Sequence, residues 1–438
     1  MSRDQLPTLR SVNFDLTGLK PPTRQPVRLQ EIGTRSREAV ATAAVLSLFA
    51  ISLIGFVGVI LFLAIGGLLA ILLRKELWAT IKRSGFLLLF PLLGILSTLW
   101  SDAPQLTLRA GIQLAITLLL AILTVSTLPP RKLIVAAFLG TLAMILSALP
   151  SLPAALSSST PLASDLLGSK NQIGFAAFML LLTGAAMLCD RDQSRAIRLA
   201  GFLAIPLSFI VAFLSRSAGG SVSIMVGLIL FGSFASLTLA GRRLRALLVG
   251  TSLIMLGTAF VYREVVETWI NSFRSDVLEK SETLTGRTHL WEVASNLWSE
   301  RPLLGYGYEA FWRVGNLEAE GLWRWGGVSS AVGFNFHNVV VETKINLGIV
   351  GLGVILVTCI LVTVPSLFQQ LRRPTVAGAF FLTLQLVLYM RGTIESGLIG
   401  QFSSLTLLWA AGAIYTREAR YQRSLEPRLD GPRPRLRV

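Results

Sequence analysis

The chain has only two histidines, His289 and His337. Both fall in one polar, aromatic-rich stretch, residues 286–354, that holds most of the sequence's capacity for chemistry. It reads Gly-Arg-Thr-His-Leu-Trp over 286–291, Pro-Leu-Leu-Gly-Tyr-Gly over 302–307, His-Asn at 337–338 and Leu-Gly-Ile-Val-Gly over 347–351. A histidine serves as a general base near neutral pH, and His337 stands where the polar stretch gives way to an apolar run. His289 falls in a segment with helical spacing and is read as a surface residue. Cations accompany the histidines: Arg287, Arg216 in Ser-Arg-Ser just before Gly219 and Gly220, Lys170 beside Asn171, and Arg391 near Glu395. An arginine presents a planar fork of donors suited to phosphate oxygens. The ligand this implies is a lipid-linked phosphate or pyrophosphate, its headgroup outside the bilayer and its tail within. No nucleotide-binding glycine loop follows a strand and no Cys/His cluster appears, so neither a metal nor a cofactor is expected.

The elements that position these residues are membrane helices. Of 438 residues, 53% are hydrophobic and 15% charged, too apolar a balance for a soluble chain of this length. About twelve apolar runs are long enough to cross a hydrocarbon core of roughly 30 Å as helices, which satisfy their own backbone amides there. They lie near 39–55, 57–73, 85–100, 107–127, 132–150, 172–189, 197–214, 220–240, 244–261, 346–367, 376–391 and 398–415. Gly55 and Gly58 mark a tight hairpin between the first two. The N-terminus does not resemble a cleavable signal peptide, so the first helix is expected to remain as an anchor. Cys189 and Cys359 match no metal or redox spacing and read as thiols in apolar surroundings.

A net charge of +16 would point to nucleic acid in a soluble protein; here its distribution reports topology. Basic clusters occur in the N-terminal tail, at Arg74/Lys75/Lys82/Arg83, Arg131/Lys132, Arg191/Arg195/Arg198, Arg242/Arg243/Arg245, Arg372/Arg373 and in the C-terminal tail. Each follows an even number of runs, so the positive-inside rule places all of them, with both termini, in the cytoplasm. Lys170, Asn171, Arg216, Arg287, His289, His337, Arg391 and Glu395 then share the outer face. The expected organisation is a cytoplasmic tail over 1–37, nine helices over 38–261, a periplasmic loop with an amphipathic helix over 262–345, three helices over 346–415, and a cytoplasmic tail over 416–438. The basic tails are suited to anionic lipid headgroups.

These motifs, with Ser-Lys-Asn-Gln-Ile-Gly over 169–174 and Ser-Arg-Ser over 215–217, resemble the O-antigen ligase and polymerase superfamily, and within it the ExoQ-type exopolysaccharide polymerases. The resemblance spans about residues 90 to 410. It implies an all-α fold of the C-type membrane glycosyltransferases in the bacterial inner membrane, with metal-independent, inverting transfer of a glycan from undecaprenyl pyrophosphate at the periplasmic face. By the same resemblance, Arg216 and Arg287 hold the pyrophosphate and stabilise its leaving charge, while His337 orients or deprotonates the acceptor hydroxyl. Lys170, Asn171, Trp291, Tyr306, Asn338, Glu342 and Arg391 are the implied substrate-binding residues. The partners are the lipid-linked donor and acceptor glycans, membrane lipids and a polysaccharide chain-length regulator, with no nucleic acid. Many members carry Glu two residues before the glycine of the Leu-Gly-Ile-x-Gly turn where this chain has Asn346; Glu342, one turn earlier, lies on the same face. The acceptor separates the polymerase reading from its alternative, a ligase acting on lipid A core. An organic-anion transporter is less favoured, because it would want charges near mid-membrane.

Overall fold

A computed structural model describes residues 27–158, 160–162, 169–238, 241, 283–328 and 333–425, and no strand occurs among them. The expected hairpin around Gly55 is formed by α1 (Val27–Ile54) and α2 (Phe56–Leu72). Next comes a broken crossing made of α3 (Leu77–Ser84), a 3-10 turn (Gly85–Leu88), α4 (Leu89–Leu96) and a second 3-10 turn (Ser97–Leu99). The chain continues through α5 (Pro104–Thr127), α6 (Pro130–Leu146), the short α7 (Leu152–Ser157), α8 (Lys170–Cys189), α9 (Arg195–Ser215) and α10 (Ala218–Ser236). Two helices of the polar stretch, α11 (Thr283–Glu300) and α12 (Leu317–Trp325), precede α13 (Val339–Arg372), α14 (Val376–Gly392) and α15 (Ser404–Leu425).

Eight helical stretches are long and apolar enough to cross a membrane, and α2 and α14 are shorter apolar helices. The protein is therefore a multi-pass, all-helical membrane protein. Eleven of the twelve expected crossings coincide with described helices, and the run at 244–261 lies outside the described residues. Several boundaries move. The first helix starts at Val27, inside the expected tail, and the crossing expected from 346 starts at Val339, because Asn338 caps it by accepting from the amides of Val340 at 2.8 Å and Val341 at 3.2 Å. Such a cap satisfies amides that the first helical turn leaves without partners. The crossing expected from 398 starts only at Ser404, since Leu398–Ser403 folds as a loop tied down by Thr406, whose Oγ1 accepts from the Gly400 amide and donates to its carbonyl.

α8 is apolar on every side, as befits a helix wrapped by neighbours, and packs against α6, α9 and α10. Gly220 of α10 lies so close to Gly174 of α8 that a Cβ on it would fall 2.6 Å from the Gly174 Cα. This approach brings the N-terminal ends of the two helices together. Ion pairs sort by side. Arg37 with Glu76, Arg83 with Glu418, Arg131 with Asp190 and Asp192, and Lys132 with Glu38 join segments of the basic side. Arg287 with Glu395 and Arg301 with Asp102 join segments of the other side. Among the described residues none of these pairs joins the two groups. The Asp190-Arg-Asp192 spacing is that of a metal-binding carboxylate pair, yet both acids are engaged by Arg131, on the side away from the histidines.

The two glycine-rich motifs of the polar stretch form one joint. At Gly348 the helix α13 breaks with φ 62° and ψ −157°, a left-handed conformation that only glycine adopts without cost. A Cβ there would sit 2.3 Å from the Leu303 carbonyl carbon. The backbone groups released by the break are taken by the 302–307 turn: Ile349 N donates to Pro302 O at 2.9 Å and Val350 N to Leu303 O at 3.2 Å. In return, Tyr306 N donates to Ile345 O and Gly307 N to Asn346 O, each at 2.9 Å.

Candidate active site

The residues singled out for chemistry converge on Glu395, just beyond the C-terminus of α14. Its Oε1 accepts from Asn171 Nδ2 at 3.3 Å and lies 3.5 Å from the Arg287 guanidinium; its Oε2 lies 3.3 Å from His337 Nδ1. The first turn of α8, the start of α11, the loop before α13 and the loop after α14 thus meet on one carboxylate. Arg391, one turn before Glu395, adds its charge and stacks its guanidinium over the Phe175 ring at 4.2 Å. Burial alone would raise the Glu395 pKa, but the His337 hydrogen bond and the charges of His337, Arg391 and Arg287 outweigh it, and the net shift is downward. A carboxylate among so many donors and cations stays ionised.

His337 is held through its backbone. It sits in the left-handed region at φ 50°, which costs a non-glycine residue about 1–3 kcal/mol and persists only where the surroundings impose it. They do so here. Its own amide donates to Asn335 Oδ1 at 2.8 Å, and the Phe336 carbonyl before it accepts from Trp291 Nε1 at 2.8 Å. The Phe336 amide donates to Glu342 Oε2 at 3.0 Å, and Asn338 Nδ2 donates to Thr393 O at 3.2 Å. Phe336 itself is fully buried among Phe311 and Trp312. Arg287 and Trp291 are one helical turn apart on α11, so one face of that helix serves both Glu395 and the His337 loop.

The other expected residues divide. Glu342 Oε1 accepts from Trp312 Nε1 at 3.0 Å and its Oε2 from Phe336, and Asn346 hydrogen-bonds the same carboxyl. Both oxygens of Glu342 are thus spent on the protein, and Asn346 stands as its companion. Tyr306 lies away from Glu395 in the Gly348 joint, its hydroxyl donating to Leu297 O at 3.0 Å and Glu300 Oε2 at 2.8 Å; burial and then the Glu300 hydrogen bond push its pKa up to about 12. Arg216 does not touch Glu395. It ends α9 in the left-handed conformation at φ 49°, is exposed, and donates to Ser158 O at 3.1 Å. Its neighbour Ser217 donates to Asn171 Oδ1 at 3.1 Å, which ties the Arg216 turn to the cluster through one residue. Lys170 is exposed at the first position of α8. His289 is exposed and stacks on Trp325 with ring centroids 4.7 Å apart.

Sequence reasoning placed Glu395 on the outer face without seeing it as the hub. Its spacing of four from Arg391 was the available signal, and by itself that spacing reads as a local pair.

Residues 202–356 match the family model described as O-antigen ligase. That stretch contains Arg216, Arg287, His337 and Glu342, whereas Lys170, Asn171, Arg391 and Glu395 fall outside it. The chain is also similar to "Exopolysaccharide production protein ExoQ" of Rhizobium meliloti (strain 1021), with 30% identity over 293 residues, 65% of this chain and 64% of that protein. The match therefore spans somewhat less than two thirds of the relative's length. Both findings bear out the resemblance to the O-antigen ligase and polymerase superfamily, and to its ExoQ-type members in particular.

Proposed function

We propose that this protein is a membrane glycosyltransferase that polymerises undecaprenyl-pyrophosphate-linked oligosaccharide repeat units into exopolysaccharide or O-antigen at the periplasmic face of the bacterial inner membrane. The observation that carries the reading is the convergence of His337, Arg287 and Asn171 on Glu395. Transfer is inverting and independent of metal. With Nδ1–H donated to Glu395, the His337 ring presents Nε2 as the base. The acceptor hydroxyl oxygen attacks the anomeric carbon of the donor, its proton passes to Nε2, and the bond from that carbon to the pyrophosphate oxygen breaks. The electron pair leaves with the pyrophosphate, whose growing charge Arg287, Arg391 and Arg216 stabilise. Preorganised charges of this kind are often the largest single contribution to catalysis.

Glu395 acts through His337, fixing its tautomer and the orientation of its ring. Glu342 is a positioning residue as well, because it holds the Phe336 amide immediately before the base. The test is transfer from purified undecaprenyl-pyrophosphate glycan with a chelator present. Wild-type protein should lengthen the glycan and His337→Ala should not, while donor binding persists. Loss of wild-type transfer on chelation alone would refute metal independence. The family description names a ligase; the alternative acceptor is lipid A core, and supplying core oligosaccharide in the same assay separates ligase from polymerase.

A further inference from the structure

Arg109 stands apart from the charged cluster. It lies in α5, one of the helices apolar enough to cross a membrane, and it is exposed. Among the described residues no acid pairs with it. At 1.5 Å per residue it is about 7.5 Å along the helix from Pro104, near the end where the Asp102 amide donates to Tyr306 O at 3.0 Å. This is the side of the polar stretch. The basic cluster at Arg131 and Lys132 follows the opposite end of α5, so the positive-inside bias does not account for Arg109. Gln105 and Gln113, one turn to either side, share its helix face; Gln105 is exposed and Gln113 half-buried. Leu108 and Ile112 are exposed beside them, so this part of α5 borders lipid. An ionisable residue inside a membrane segment marks a functional position. Snorkelling carries a guanidinium toward water, but it gives no reason for two carboxamides in line with the arginine. The line leads inward to the loop between α14 and α15, the loop that carries Glu395. One turn past Gln113, the buried Thr117 Oγ1 donates to the Gln113 carbonyl at 2.7 Å and accepts from the Phe402 amide at 2.9 Å. α2 flanks the same region: Phe62 meets the Phe402 ring edge-on at 6.4 Å, and a Cβ on Gly66 would fall 2.6 Å from Leu120 Cδ1 of α5. Ile60 and Leu63 of α2 are exposed and add apolar surface.

We infer that Gln105, Arg109 and Gln113 form a second pyrophosphate site, which holds the headgroup of the lipid-linked acceptor while its isoprenoid tail lies in the bilayer along α2 and α5. The inference rests on the polymerase reading and adds to it the acceptor's anchor. Polymerisation joins two lipid-linked chains, so two pyrophosphates are present at once. In the acceptor the pyrophosphate caps the reducing end of the glycan, and the attacking hydroxyl belongs to a sugar beyond it. The acceptor's headgroup is therefore held at a distance from His337, by a cation other than those that take the donor's charge. Arg109 meets that requirement, and the loop that receives its helix face at Thr117 also supplies Glu395. A guanidinium fork between two carboxamides presents donors suited to phosphate oxygens. α5 contains no acid to repel them.

The test uses full-length protein in phosphatidylcholine nanodiscs, undecaprenyl pyrophosphate as probe, and native mass spectrometry to count bound copies. Wild type should bind two copies. Arg109→Ala should weaken one of them about tenfold or more, Arg287→Ala should weaken the other, and the double variant should weaken both. Arg109→Gln, which keeps a polar side chain at this exposed position, should act like Arg109→Ala and replaces it if the alanine variant does not fold. In the transfer assay with labelled acceptor below saturation, the ratio of rates on lipid-linked acceptor and on glycan released from its pyrophosphate should fall about tenfold in either variant. A single copy on wild type, two undiminished copies on both Arg109 variants, or an unchanged ratio would overturn the site. Loss of the Arg109-dependent copy when phosphatidylglycerol replaces part of the phosphatidylcholine would overturn it too, since a bulk anionic lipid would then be its ligand. Two copies, one dependent on Arg109, in a protein that performs no transfer would uphold the second site and sink the polymerase reading instead.

Discussion

Glu395 is the residue on which the site depends, and its charge does more than its shape. Glu395→Gln keeps the side-chain length but removes the anion that holds the His337 ring. Turnover should fall about a hundredfold, the lower range for loss of an oriented general base, with little change in the donor concentration needed for half saturation. A kcat near wild type would remove Glu395 from the mechanism. The same carboxyl sets an acid limit. Its folded pKa is lowered, so its contribution to stability is fully present above the ordinary carboxyl value and is lost as pH falls through the lowered one. Thermal stability in detergent should hold through neutral and mildly acidic buffers and decline below about pH 4, and Glu395→Gln should flatten that decline. At Arg287, Lys should be nearly as damaging as Ala, since a point charge does not reproduce a planar fork. Full polymer production by Arg287→Lys in cells lacking the native gene would mean that charge alone suffices.

Between residues and fold, the unit that matters is the Gly348 joint. Gly348→Ala would force a side chain into left-handed backbone at about 1–3 kcal/mol and would drive its Cβ against Leu303. The melting temperature of the detergent-solubilised protein should drop, and transfer should drop with it, because the turn that fills the break follows the helix carrying Arg287. An unchanged melting temperature would mean that the break is not strained. Each half of this joint is legible in the sequence as a glycine motif, and most crossings are legible as apolar runs. That the halves interlock is not, because backbone hydrogen bonds between segments far apart in the chain leave no mark in residue type. Helix starts are mislocated for a related reason: Asn338 extends α13 by capping it, and Thr406 delays α15 by gripping the loop ahead of it. Hydrophobicity registers neither effect.

Across the whole molecule, the basic clusters imply a two-sided layout that labelling tests directly. Single cysteines at 75, 132, 195 and 373 should react with a membrane-impermeant thiol reagent only after the cells are opened, and one at 315 should react in cells whose outer membrane alone is permeabilised. Labelling of 195 from outside would move Asn171, and with it the Glu395 and His337 cluster it joins, to the cytoplasmic face. The Gly348 joint has a further consequence for how such proteins diversify. Its contacts are made by 302–307 and 345–350, and the chain between them, including α12 and the aromatic cluster, leaves the joint and comes back to it. That intervening segment is a cassette with fixed ends. Substituting only residues 313–333 of that segment with their counterpart from a relative that handles a different glycan should therefore preserve the helical frame and leave His337 and Glu342 in place, with the change falling on sugar selectivity.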